Sequence, residues 1–338
     1  MRFDDVVIAS LASVEAPHRV STAELEGRLS DHLARLGLLP GTLAALSGIE
    51  ARRFFDAETP PSEAATRAAE KALAEADVDR AHLGVLINTS VCRDYVEPST
   101  ACLVHGNLAL PAECLNFDLS NACLGFLNGM ELVAQMIERG QVEWGLVVDG
   151  ESSRFVVERT LERLADPGSS PQTLRDNIAT LTLGSGAAAA VLTRASLAPD
   201  GHRFAGLVSL AASEHNHLCR GQTDWMRTDT TGLLSAGLEL ATRTWQRAAD
   251  ELDWTVDALD HAVMHQVSRV HTEHLARTLG IPLERVPVIY PEHGNVGPAS
   301  VPMTLADAAA KGRLSRGDRV ALMGIGSGLN CAMAEVVW

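Results

Sequence analysis

Cys123, His265 and Asn295 are the residues of this 338-residue chain whose types and positions could do chemistry together. Cys123 closes the run LNFDLSNAC and opens CLGFLNGMELVAQMIERG, Cys123 to Gly140. The first run begins with strand-like alternation, and the second is a mostly apolar segment that reads as a helix ending at Glu-Arg-Gly. The thiol therefore stands where a strand turns into a helix. N–H groups at a helix N-terminus favour a thiolate, and a thiolate is a nucleophile. His265, in MHQVS, follows an apolar strand, and Asn295, in EHGNVGPAS, precedes a helix. Taken singly, each has a bland reading: a buried structural cysteine, or a histidine or asparagine satisfied by a local hydrogen bond.

The elements that must position these residues repeat within the chain. LNFDLSNAC aligns with PVIYPEHGN, the segment ending at Asn295, and each reads strand, turn, apolar helix. The following helices have similar lengths, and strands follow both: Gly145 to Glu151 in the first copy, Arg319 to Gly328 in the second. Upstream, Leu83 to Val91 matches Leu259 to Ser268. Short apolar strands alternating with helices predict parallel sheets covered by helices on both faces, an α/β class. Ligands of such sheets bind beyond the carboxyl ends of the strands. Cys123, His265 and Asn295 all fall there, as do Glu97 and the glycine loop Gly324 to Gly328. Three such residues at matching ends of a duplicated unit can converge on one pocket.

The rest of the chain supports two similar halves, 1–197 and 198–338, joined by a linker at Arg194 to Arg203. Residues 4–12 read as a first strand, Thr22 to Leu36 and Glu63 to Ala76 as helices, and Leu181 to Leu192 as the strand closing the first half. FAGLVSLAAS opens the second half. An irregular insertion, His215 to Thr230, precedes a helix over Leu233 to Leu252. The segments GSG (184–186) and GIGSG (324–328) do not precede helices, which weighs against nucleotide-phosphate binding.

Hydrophobic residues make up 46% of the chain and aromatics 4%, so the core is built from small aliphatic side chains. A net charge of −15 without a basic run argues against nucleic acid as a partner. The six cysteines show no CxxC and no regular spacing, which argues against zinc and against a disulfide framework. Most of them lie in apolar stretches, as reduced buried cysteines do. No signal-peptide pattern and no membrane-length apolar run is found, so a cytoplasmic protein without an integral membrane segment is expected.

At NAC (Asn121–Cys123), HQ (His265–Gln266), HGN (His293–Asn295) and GIGSG (Gly324–Gly328) the chain resembles the thiolase superfamily, in its ketoacyl synthase III-like branch. The resemblance runs through GIEARR (Gly48 to Arg53) and covers essentially the whole length. Within that branch, RDYVEPST with Glu97, VVDGESS, CRGQTDWMRTDT and EHGNVGPASVP are most similar to the enzymes that condense two fatty acyl-CoAs head to head.

The resemblance implies a duplicated five-layer αβαβα fold, with the nucleophile in the first half and the His, Asn and oxyanion loop in the second. It implies a non-decarboxylative Claisen condensation of two long-chain acyl-CoAs. Cys123 is acylated. The backbone N–H groups of Cys123 and Ser327 hold the oxyanion, and His265 and Asn295 hydrogen-bond the enolate oxygen of the second thioester. Glu97, contributed by the partner subunit of a homodimer, removes the α-proton that a plain acyl-CoA must lose. A β-keto acid and CoA are released into long-chain olefin or β-lactone biosynthesis, with downstream enzymes as possible partners. No cofactor and no metal is implied. The residue types alone leave Glu97 equally readable as a charge at a helix N-terminus just before Pro98.

Two departures from the decarboxylating synthases weigh against docking of acyl carrier protein. No aromatic precedes GIEARR, and Val270 stands where those enzymes often carry an Arg, with Arg269 one residue away. The alternatives are a synthase III that uses malonyl-carrier protein, a degenerate non-catalytic partner subunit, and a papain-type Cys-His-Asn hydrolase. The first does not need Glu97, the second does not fit the retained Cys123, His265 and Asn295, and the third does not fit the duplicated topology.

Overall fold

The computed structural model describes residues 1–338. Thirteen strands run along the chain: β1 (Val6–Glu15), β2 (His18–Ser21), β3 (Ala51–Phe54), β4 (Leu83–Asn88), β5 (Leu115–Asp118), β6 (Trp144–Glu151), β7 (Gly186–Arg194), β8 (His202–Ala211), β9 (Cys219–Gly221), β10 (Met226–Thr228), β11 (His261–Met264), β12 (Arg319–Gly326) and β13 (Asn330–Val337). Nine of them form one sheet in the order β11-β12-β13-β8-β1-β7-β6-β4-β5, while β2–β3 and β9–β10 form two small ribbons. The halves of the large sheet meet where β1 pairs with β8, through Val7↔Arg203 and Ile8↔His202, and where the preceding residues continue along β8 through Arg2↔Gly206.

Alternation along the strands sends side chains into different cores. Val85, Ile87, Val147, Ala188 and Ala190 face one core, together with Val263, Val320, Leu322 and Ala334 of the second half. That core also takes Phe126, Met130 and Val133 from the helix Gly125–Glu138, and Val301, Met303 and Leu305 from the helix Ser300–Ala310. These two helices form a middle layer between the two halves of the sheet. The opposite strand faces pack elsewhere. Leu86, Leu146, Val148 and Ala189 meet the alanine-rich helix Pro61–Glu75. Val208, Ala321, Met323 and Met333 meet the helices Thr230–Leu252 and Arg269–Leu279. The result is five layers, αβαβα.

The structure departs from the sequence reading in several places. The sheets are mixed: β4 runs parallel to β5 and β6, and β11 to β12, but β7 is antiparallel to both β6 and β1. The counterpart of β5 in the second half is no strand. Pro287 has no N–H for a ladder, and the N–H groups of Ile289 and Tyr290 donate to Gln266 Oε1 at 3.1 and 3.3 Å. The expected helix over Thr22 to Leu36 breaks at Leu29 into Thr22–Arg28 and Ser30–Arg35. Of the six cysteines, all unpaired, only Cys114 and Cys331 are buried, and Cys102 is exposed.

Candidate functional site

The nucleophile turn is built by Asn121, Ala122 and Cys123. Ala122 takes φ 46°, a left-handed conformation that costs a residue with a Cβ on the order of 1–2 kcal/mol. Leu124 N–H then donates to the Asn121 carbonyl at 3.0 Å and Gly125 N–H to the Ala122 carbonyl at 3.1 Å, which starts the helix at Gly125. Cys123 thus precedes the helix instead of being its first residue. A Cβ on Gly125 would lie 2.7 Å from the Thr89 carbonyl oxygen, so only glycine lets the helix start this close to the end of β4.

The glycine loop closes over this turn from the other half. A Cβ on Gly326 would lie 3.1 Å from the Asn121 carbonyl oxygen and 3.3 Å from the Cys123 nitrogen. Neither Cys123 N–H nor Ser327 N–H finds a protein oxygen. Cys123 N–H, which hydrogen-bonds its own thiol, and Ser327 N–H, one residue beyond the Gly326 contact, are the backbone donors an oxyanion hole here would use. The thiol itself is not acidified as the helix-end argument expects. Burial first, and the Glu151 carboxylate next, push it up to about 12. The helix end supplies less to the thiolate than burial removes.

His265 caps β11 and anchors to the same loop strand, its N–H donating to the Met323 carbonyl at 2.7 Å. It is 2% exposed, and burial lowers its imidazole to about 3, so it is a neutral N–H donor at working pH. Gln266 donates to the Met264 carbonyl and accepts from Ile289 and Tyr290, tying the end of β11 to the segment that leads to Asn295. Asn295 is held by the first half: its N–H donates to the Thr182 carbonyl at 2.8 Å and its carbonyl accepts from Gly184 N–H at 2.9 Å. Its Oδ1 accepts from Gly297 N–H at 3.0 Å, which leaves the amide NH2 as the free end.

Sequence reading missed the acid pair Asp149 and Glu151 at the end of β6, although two carboxylates ending the apolar run GLVVDGE were a visible signal. Both are buried. Asp149 accepts from Thr89 Oγ1 at 2.6 Å, and Glu151 accepts from Val91 N–H at 2.6 Å and Cys92 N–H at 3.2 Å. A Cβ on Gly297 would lie 3.4 Å from the Glu151 carboxyl carbon, so Glu151 borders both the Asn295 turn and the Cys123 surroundings. Burial raises both acids, Glu151 to about 7.

Glu97 is not with these groups. It lies on a surface arm beside Tyr95, 61% exposed, and Val96, 95% exposed. Carboxylates pin the arm at its base. Glu151 holds Val91 and Cys92, Asp94 accepts from Ser62, and Asp118 accepts from the N–H groups of Thr100 and Ala101. Within one chain, the glycine loop meets the Cys123 turn and the strand end at His265, and Glu151 borders the Asn295 turn, while Glu97 is exposed on the arm.

Residues 117–211 match the family model for 3-oxoacyl-[acyl-carrier-protein] synthase III, and residues 249–338 match the model for its C-terminal part. The chain is 50% identical to an acyl-CoA:acyl-CoA alkyltransferase of Xanthomonas campestris pv. campestris, over 100% of both chains. It is 40% identical to one of Shewanella oneidensis, again over 100% of both. A beta-ketoacyl-[acyl-carrier-protein] synthase III of Desulfitobacterium hafniense is 28% identical over 88% of each. Among solved structures, Xanthomonas campestris OleA with bound cerulenin superposes with a TM-score of 0.99 at 50% identity, covering 100% of this chain and 98% of that one. A cysteine-to-serine form of the same protein, with lauric acid and lauroyl-CoA bound, gives 0.98 at 49% identity, covering 99% and 100%. The five-layer arrangement is the thiolase-like fold of these proteins.

Proposed function

The chain belongs to the ketoacyl synthase III-like branch of the thiolase superfamily, among its acyl-CoA:acyl-CoA alkyltransferases, and from that premise we propose that it joins two long-chain fatty acyl-CoAs head to head. The observation that carries this reading is identity of 50% to an alkyltransferase over the full length of both chains. The assignment of residues has a second support. OleA has been solved with a glutamate, a cysteine and a histidine substituted, and these stand at the same separations along its chain as Glu97, Cys123 and His265 do here.

In the first step the Cys123 sulfur attacks the thioester carbonyl, and the N–H groups of Cys123 and Ser327 receive the oxyanion. The C–S bond to CoA breaks, and the proton given up by the thiol ends on the departing CoA sulfur. In the second step Glu97 of the partner subunit takes the α-proton of a second acyl-CoA. The neutral His265 N–H and the free NH2 of Asn295 stabilise the enolate oxygen. The α-carbon attacks the acyl-Cys123 carbonyl and the Cys123 sulfur leaves. Water then splits the β-ketoacyl thioester to a 2-alkyl-3-ketoalkanoate and free CoA. The product enters long-chain olefin biosynthesis, or a β-lactone route by the same chemistry.

The working unit in this reading is a cytoplasmic homodimer without cofactor, whose halves 1–197 and 198–338 supply the nucleophile and the enolate donors respectively. No helix of the chain is long and apolar enough to cross a membrane. The test is to incubate the protein with myristoyl-CoA and no malonyl donor. Two CoA released per β-keto acid, or per ketone formed by its decarboxylation, is the expected result. CoA release with free myristate alone, followed by product only when malonyl-carrier protein is added, overturns it in favour of a decarboxylating synthase.

A further inference from the structure

Side-chain amides cross from the nucleophile turn to the oxyanion loop in an unbroken chain. Asn330, the first residue of β13, donates from Nδ2 to Asn121 Oδ1 at 3.1 Å. Asn121 donates from Nδ2 to Asn128 Oδ1 at 2.7 Å, and Asn128 donates from Nδ2 to Glu131 Oε2 at 3.4 Å. A carboxylate only accepts, so Glu131 requires the NH2 end of Asn128. That choice presents Asn128 Oδ1 to Asn121, which must then turn its own NH2 inward and its oxygen toward Asn330. One charged end therefore fixes the direction of three amides, each of which could otherwise flip.

The first link of this chain, Asn330 to Asn121, spans the two walls of the oxyanion hole. Asn121 sits two residues before Cys123, in the turn strained at Ala122. Asn330 sits three residues after Ser327, and a Cβ on Gly328 would lie 2.9 Å from Asn330 Nδ2, so this amide also packs against the loop. The backbone contact at Gly326 sets how near the walls can come. No backbone hydrogen bond joins Cys123 to Ser327 across the gap, so the side-chain link is the direct tie between the two walls.

We propose that Asn121, tied to Asn330 and oriented through Asn128 by Glu131, is a positioning residue that holds the two oxyanion donors at their working separation. The proposal rests on the reading of Cys123 as the acylated residue. Loss of a whole oxyanion donor costs about 100-fold or more in rate, and a donor drawn out of place loses part of that.

The experiment uses the full-length protein with a long-chain acyl-CoA and reads the pre-steady-state release of CoA. N121A and N330A are each expected to slow acylation by about tenfold or more while KM moves less than about twofold, the signature of an interaction made in the transition state. N121A/N330A is expected to be no slower than the slower single variant, because both remove one tether. Losses that multiply in the double variant, or a raised KM with unchanged acylation rate, overturn the proposal. If N121A does not fold, N330A compared with N330A/N128A carries the same non-additivity test. A mass increase of one acyl group on Cys123 in the unmutated protein separates failure of this proposal from failure of the acyl-enzyme reading itself.

Discussion

In the proposed reaction Cys123 starts as a thiol. With burial pushing its pKa up to about 12, the thiolate fraction grows tenfold for every pH unit across the neutral range. The acylation rate, followed as the first turnover of CoA, is expected to climb log-linearly with a slope near one from pH 6 to pH 9. A plateau near pH 8 would mean that substrate binding or a local base acidifies the sulfur. His265 adds no acid limb near pH 6.5, since burial holds it neutral down to about 3. Glu151 acts in the opposite sense on stability. Its folded value of about 7 lies above its ordinary 4.5, so its contribution is fully present below pH 4.5 and is lost as the pH rises through 7. E151Q does not titrate. The melting temperature of E151Q relative to the unmutated protein is therefore expected to rise between pH 5 and pH 8; a flat difference would show that Glu151 ionises normally.

At the scale of elements, the arm from Val91 to Ser99 divides the chemistry. It carries Glu97 exposed at the surface, whereas His265 is buried. E97Q is expected to retain acyl-Cys123 formation and to lose condensation by about 100-fold or more, as removal of a general base does. Equal loss of both steps would sink the assignment. Asp118 reaches the same readout through shape: D118N weakens the anchor at Thr100 and Ala101, and is expected to lower condensation about tenfold with acylation within about threefold. Much of this organisation is legible in the sequence. The strand-to-helix turn at Cys123, the strand end at His265 and the duplicated order of elements all follow from apolar periodicity and turn residues. The strand expected at Pro287–Tyr290 fails because Gln266, distant in sequence, takes its N–H groups. The expected acidic thiol fails because a local helix-end argument omits burial and the Glu151 carboxylate, and the amide chain from Asn330 to Glu131 has no local pattern at all.

For the whole molecule, the proposed role of the exposed Glu97 requires an active site shared between two copies. Mixing E97Q with C123S and exchanging subunits is expected to restore roughly a quarter of the activity, because half of the dimers then hold one site with both residues intact. No recovery after confirmed exchange would mean that Glu97 serves its own chain or none. A monomer at assay concentration in analytical ultracentrifugation would exclude the shared site altogether.

The crossing of Thr182, Gly184 and Asn295 has a consequence for protein engineers. The asparagine of the second half takes its place from the backbone of the first, and two glycines make the crossing possible: a Cβ on Gly184 would come within 1.9 Å of the His293 carbonyl oxygen, and one on Gly294 within 2.5 Å of that of Thr182. Chimaeras that splice halves from two homologues at the linker would inherit a graft line running through the amide proposed to stabilise the enolate. Stretches 182–184 and 293–295 are best inherited from the same parent, and the useful joint lies upstream of residue 182 instead of near residue 197.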